Sequence, residues 1–134
     1  MDPVVHFEMP AEDNARVSEF YAAAFGWKMQ PMGEQMGNYV LAITTEVDDK
    51  TQRPKTPGAI NGGFFNRQKP NQAPHLVISV DDLAASVKKV KAAGGSIISG
   101  PMDIPGVGSF VMFTDTEGNP VGMLQPAPME NKES

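Results

Sequence analysis

The sequence predicts an α+β domain built from a doubled strand–helix–strand–strand–strand unit. Three observations carry that reading. The chain has two histidines, and each opens a similar segment, "HFEMPAED" from His6 and "HLVISVDD" from His75. At the offset of 69 that aligns them, Asp13 meets Asp82, Ala15 meets Ala84, Ala23 and Ala24 meet Ala92 and Ala93, and Gly26 meets Gly95. Further on, "GNYV" (37–40) resembles "GSFV" (108–111) at offset 71, a shift that a small loop insertion produces. Thirteen glycines and twelve prolines in 134 residues imply many turns and short elements rather than a helical bundle.

In the first unit, "VVHFEM" reads as a strand with Val5, Phe7 and Met9 on one face and Val4, His6 and Glu8 on the other. A helix from Asn14 to Phe25 follows, carrying Val17, Phe20, Tyr21 and Ala24. "WKMQPM", "NYVLAIT" and "GAINGGFF" complete the unit. The polar run "TTEVDDKTQRPKTP" between the last two is an exposed loop. The second unit begins with "HLVISV", placing Leu76, Ile78 and Val80 opposite His75, Val77 and Ser79. Asp81 or Asp82 caps a helix whose face is Leu83, Val87 and Val90, with lysines towards its end and Gly94 and Gly95 stopping it. "SIIS", "GSFVMFT" and "PVGMLQ" are the remaining strands, separated by the glycine-rich "GPMDIPGVG", a loop or lid, and the turn "DTEGN". Module 1 thus covers about 3–66, a linker 67–73, module 2 about 74–127, and a disordered tail 128–134.

Both histidines fall on the strand face opposite the apolar one. If the apolar faces meet the helices, His6 and His75 share the other side, in one concave space. The rest of the composition excludes more than it assigns. The net charge of −5 and pI near 4.9 offer no basic stripe for nucleic acid and repel an anionic membrane. No stretch approaches the ~20 apolar residues of a membrane span, and "MDPVVHFEMP" lacks a signal peptide's basic start, so the cytoplasm is the expected address. The absence of cysteine removes disulfides, thiolate metal sites and a cysteine nucleophile.

The opening "VVHFEMPAEDNARVSEFYAAAFGW", the segment "HLVISVDDLAASVKKVKAAGG" and the closing "FTDTEGNPVGMLQ" together resemble the vicinal oxygen chelate superfamily, which holds glyoxalases, bleomycin-resistance proteins and extradiol dioxygenases. That resemblance implies two βαβββ modules forming a U-shaped sheet cleft, metal ligands on the first and last strand of each module, and a homodimer. His6 and His75 fall on first-strand ligand positions. The closing strand's usual glutamate is Gly122, and its counterpart in "GAINGGFF" is Asn61 or Gly63, so both family acids are missing and authentic glyoxalase I activity is not expected.

Two imidazoles need a further ligand to make a catalytic metal centre. Glu8 supplies one, two residues from His6 on the same face and roughly 6.6 Å along the strand. A His6–His75–Glu8 set suits Fe, Mn, Zn or Ni with open positions for substrate oxygens. The competing reading has no metal, with His6 and Glu8 bonded to each other or to a ligand. His6, His75 and Glu8 are the candidate catalytic residues. Asn61, Tyr39, Phe65, Phe110, Met123 and Arg67 are the candidate substrate contacts: Asn61 as a weak oxygen ligand, Arg67 as an anion anchor, and the others as an apolar lining. The expected function is a glyoxalase-related enzyme of lyase, isomerase or dioxygenase type acting on a small molecule. The alternative is a metal-free sequestering protein of the bleomycin-resistance type.

Overall fold

A computed structural model describes residues 1–128. The tail expected to be disordered lies, from residue 129 on, outside the described residues. In chain order the elements are β1 (Val4–Ala11), α1 (Asn14–Phe25), β2 (Lys28–Pro31), a 3₁₀ turn (Glu34–Met36), β3 (Val40–Ile43), β4 (Asn61–Asn66), β5 (His75–Ser79), α2 (Leu83–Ala92), β6 (Ser96–Ile104), β7 (Gly108–Thr114) and β8 (Pro120–Pro126). Each half is therefore a βαβββ module. Contacts divide the chain into one unit of Val5–His75 and another of Met1–Val4 with Leu76 onward.

In the first module the strand order is β2-β3-β4-β1. β1 runs parallel to β4 with His6 opposite Asn61 and Glu8 opposite Gly63, while β3 is antiparallel to β4 with Leu41 opposite Gly63. Paired residues share a face, so the face carrying Phe7, Met9, Val40, Ala42 and Phe64 is distinct from the one carrying His6, Glu8, Leu41 and Gly63. The first face is the core: Ala11, Val40, Ala42 and Phe64 are buried and pack with Phe7, Met9, Val17, Tyr21, Trp27 and Met29. Asp13 caps α1 by accepting from the Arg16 amide at 2.9 Å. Gly26 ends it with φ 75°, its N–H donating to the Ala22 carbonyl, a left-handed conformation that suits glycine. The helix face differs from expectation at Phe20 and Ala24. Val17 and Tyr21 reach the core, but Phe20 is turned outward and 58% exposed, since Tyr21 stacks on Trp27 at 4.6 Å and takes the inward position.

In the second module the order is β5-β8-β7-β6. Val77 pairs with Gly122 and Met112 with Gly122, defining one face. Ile78, Val80, Val111, Phe113 and Met123 take the other, where Leu83, Val87 and Val90 of α2 cover them. Leu76, expected on this covered face, is exposed and lies outside the core cluster that takes in Ile78 and Val80. Of the two possible caps, Asp82 is the one used, accepting from the Ala85 amide at 3.1 Å, and the Gln125 side chain accepts from the Leu83 amide at 2.8 Å. The expected loop "GPMDIPGVG" is largely strand: β6 continues through Ile104 against β7, with register shifts on either side of Ser99. Gly100, at φ 103°, allows this, for a Cβ there would lie 2.8 Å from the Phe110 carbonyl oxygen.

Candidate functional site

The face of β1 turned away from α1 puts His6 and Glu8 side by side, and each has a partner within the first unit. His6 Nε2 lies 2.8 Å from the Tyr39 hydroxyl oxygen. Glu8 Oε1 lies 2.8 Å from His75 Nε2. The Glu8 charge also acts on the Tyr39 phenol. The side chains form two bonded pairs, His6 with Tyr39 and Glu8 with His75. Both members of the Glu8–His75 pair are shielded, with side chains 17% and 7% exposed, so solvent screens this contact far less than a surface ion pair.

Environment fixes the protonation of two of these groups. Burial, the largest cause, lowers the His6 pKa; Glu8 raises it and His75 lowers it. His6 is therefore neutral near pH 7. Burial, then the charge of Glu8, push the Tyr39 pKa upward, so the phenol keeps its proton. An ionised Glu8 only accepts, which puts a proton on His75 Nε2. If the phenol proton points to Glu8, His6 donates from Nε2 to the Tyr39 oxygen and its Nδ1 is left as a free acceptor.

The depressed His6 value links to stability. Below the ordinary histidine pKa of 6.5 the unfolded chain takes up a proton that folded His6 resists. Stability is thus full above that value, falls as pH drops below it, and levels off under the folded pKa. The thermal midpoint is expected to fall between pH 7.5 and pH 5.5, and less so in His6→Gln. An equal fall in both proteins would contradict the assignment.

His6, Glu8 and His75 do come together, but as members of two hydrogen-bonded pairs rather than as the expected three-ligand centre. Each imidazole commits its Nε2. Asn61 Oδ1 accepts from the Thr44 and Thr45 amides at 2.8 and 3.1 Å, tying β4 to the end of β3 instead of offering a free ligand oxygen. Among the described residues no three His, Cys, Asp or Glu side chains are grouped to hold a metal ion. These donors do not fit a divalent metal as placed.

The remaining candidates divide. Phe65 packs against His75, ring centroids 5.6 Å apart. Met123 is 2% exposed in the core under α2, because Gly122 takes the histidine-side face and strand alternation sends Met123 to the other. Arg67 is tied to its own linker: it donates to the Gln72 carbonyl at 2.8 Å and its Nε lies 3.6 Å from Glu12, so it is not a free anion anchor. Phe110 lies over Gly122, where a Cβ would sit 2.6 Å from its Cζ. Tyr39, expected only as lining, stands directly over Gly63, where a Cβ would collide with its phenol. The strand register makes Gly63, not Asn61, the counterpart of Gly122, since Glu8 pairs with Gly63 as Val77 pairs with Gly122. The sequence signal for Tyr39 was its place opposite Phe110 in the repeat.

The model of the Glyoxalase/Bleomycin resistance protein/Dioxygenase superfamily matches residues 4–123. The chain is 34% identical over 117 residues to a glyoxylase-like domain-containing protein of Didymella fabae, a match covering 84% of this chain and 84% of that one. It is 43% identical over 56 residues to the putative glyoxylase CFP32 of Mycobacterium tuberculosis, covering 42% of this chain and 22% of the relative. The chain therefore spans well under half of that relative's length. Among solved structures, methylmalonyl-CoA epimerase from Mycobacterium tuberculosis superposes with a TM-score of 0.66 at 14% identity, over 93% of this chain and 88% of that one. At that identity the likeness is one of fold. No helix among the described residues is long and apolar enough to cross a membrane.

Proposed function

This chain belongs to the Glyoxalase/Bleomycin resistance protein/Dioxygenase superfamily, and on that premise we propose that it is a small-molecule enzyme that moves a proton on a carbon next to an oxygen-bearing group. The observation that carries this reading is the pairing of His6 with Tyr39 and of Glu8 with His75, with the Glu8 charge acting on both His6 and the phenol. A neutral imidazole beside a carboxylate is poised as a base. His6 Nδ1 takes the proton as the C–H bond breaks, the electron pair moves onto the neighbouring oxygen, and Glu8 stabilises the imidazolium that forms. The imidazolium proton exchanges with solvent, and return of a proton from Nδ1 to carbon closes the cycle without an oxidant. A homodimer in the cytoplasm belongs to the same proposal.

The test is deuterium wash-in, followed by proton NMR, with the metal-stripped full chain in D₂O and a panel of hydroxyketones, 1,3-dicarbonyls and acyl thioesters. We expect exchange with one class, unaffected by EDTA, and a loss of about 100-fold or more in His6→Ala. Exchange that vanishes with EDTA and returns with a divalent ion would overturn the metal-independent reading, and an unchanged rate in His6→Ala would remove His6 from it.

The apolar replacements in the second module favour a second reading. Phe110 fills the space over Gly122, and the residue paired with that glycine is Val77, itself 2% exposed. A ligand that binds saturably but exchanges no deuterium would make the protein a sequestering module of the bleomycin-resistance type.

A further inference from the structure

The two modules serve as controls for one another. In each, a glycine on the last strand is roofed by an aromatic side chain from the preceding part of the module: Tyr39 over Gly63 and Phe110 over Gly122. The two aromatics are counterparts in the internal repeat, and the two glycines are counterparts by strand register. A phenylalanine is therefore enough to fill the hollow above such a glycine. The first module uses tyrosine instead, which places a hydroxyl at a part-buried position, and a hydroxyl shielded from water costs free energy unless it is bonded. The residue paired with the roofed glycine also differs, Glu8 in one case and Val77 in the other. The polar substitutions are confined to the side that holds His6.

Resting on the function proposed above, we infer that the Tyr39 hydroxyl is the group that binds and polarises the substrate's oxygen, and that the substrate is a neutral carbonyl or hydroxy-carbonyl compound. The phenol keeps its proton and so donates. When His6 donates from Nε2 to the Tyr39 oxygen, the phenol hydrogen is free to turn to an incoming carbonyl oxygen, and it stabilises the negative charge that grows there as His6 removes the carbon-bound proton. The charge of the site decides the substrate class. The four polar side chains bond in two pairs, and among the described residues their hydrogen bonds and ion pairs include no lysine or arginine. A carboxylate or phosphate brought beside Glu8 would meet a like charge with no lysine or arginine bonded there to offset it. A neutral oxygen meets only the donor.

The test uses the full chain carrying ¹³Cζ-labelled tyrosine and ¹⁵N-labelled histidine, titrated with acetoin as a neutral hydroxyketone and lactate as its anionic analogue. Acetoin is expected to shift the Tyr39 Cζ and His6 signals saturably, and lactate to bind at least about tenfold more weakly. In Tyr39→Phe the acetoin affinity is expected to fall by about tenfold, with His75 signals and cooperative unfolding retained, which separates a lost donor from a lost fold. Lactate binding as tightly as acetoin would overturn the substrate class. Undiminished affinity in Tyr39→Phe, or no saturable response to acetoin, would overturn the role of Tyr39. Wash-in persisting despite either result would leave the proton-transfer reading standing, whereas saturable acetoin binding through Tyr39 without wash-in for any compound would sink that reading and keep this one.

Discussion

Phe64→Ala is expected to lower the unfolding free energy by about 3–5 kcal/mol, the largest stability loss available to a single truncation in the first module. Phe64 is 1% exposed and lies on the covered face of β4. It pairs with Met9 on one side and Val40 on the other, and Tyr21 of α1 packs on its ring at 5.3 Å. Removing the ring takes away the contact surface of both neighbouring strands and of the helix at once. The surrounding side chains are themselves large rings and strand residues, which cannot collapse far into the gap. For a chain of this size the loss corresponds to a fall in thermal midpoint on the order of 10 °C or more. Urea unfolding of wild type and variant, at unchanged slope, measures it. A loss under about 1 kcal/mol would mean that α1 does not pack on this face.

Much of this arrangement is legible before any coordinates. The alternation of "VVHFEM" separates Phe7 and Met9 from His6 and Glu8, and the structure keeps that separation. Asp13 and Asp82 occupy the same place relative to the two histidines, and both cap helices. The module order follows from these signals because each depends on residues near one another in the chain. Met123 was open to the same reasoning: in "PVGMLQ" a glycine on the histidine-side face obliges its neighbour to turn to the core.

What escaped the sequence depends on partners far along the chain. Whether Asn61 or Gly63 matches Gly122 is a question of strand register, which only the pairing of β1 with β4 answers. The glycine and proline in "SGPMDI" read as punctuation, yet pairing with β7 carries the strand through them. Tyr39 and Arg67 show the two directions of the same difficulty. A tyrosine among apolar residues looks like lining until His6 is found at its hydroxyl. An arginine in a polar linker looks free until the carbonyls and carboxylate that occupy it are located.

Gly63→Ala, one residue from Phe64 and on the opposite face, tests the candidate site rather than the core. The added methyl would collide with the Tyr39 phenol, so the ring must leave its place over β4. Overpacking of this kind costs about 1–3 kcal/mol. The more specific consequence is local, because a displaced phenol gives up its contact with His6, leaving the imidazole Nε2 without a partner at a shielded position. The His6 ring signals should therefore move in Gly63→Ala much as they do in Tyr39→Phe. The cost should also depend on the ring. In a Tyr39→Ala background the hollow over residue 63 is open, and the same methyl is expected to cost under about 0.5 kcal/mol, so the two substitutions are strongly non-additive. A double-mutant cycle by urea unfolding reads this coupling directly. If the two costs simply add, the phenol does not occupy the space above Gly63, and the comparison between the modules on which Tyr39's role depends falls with it.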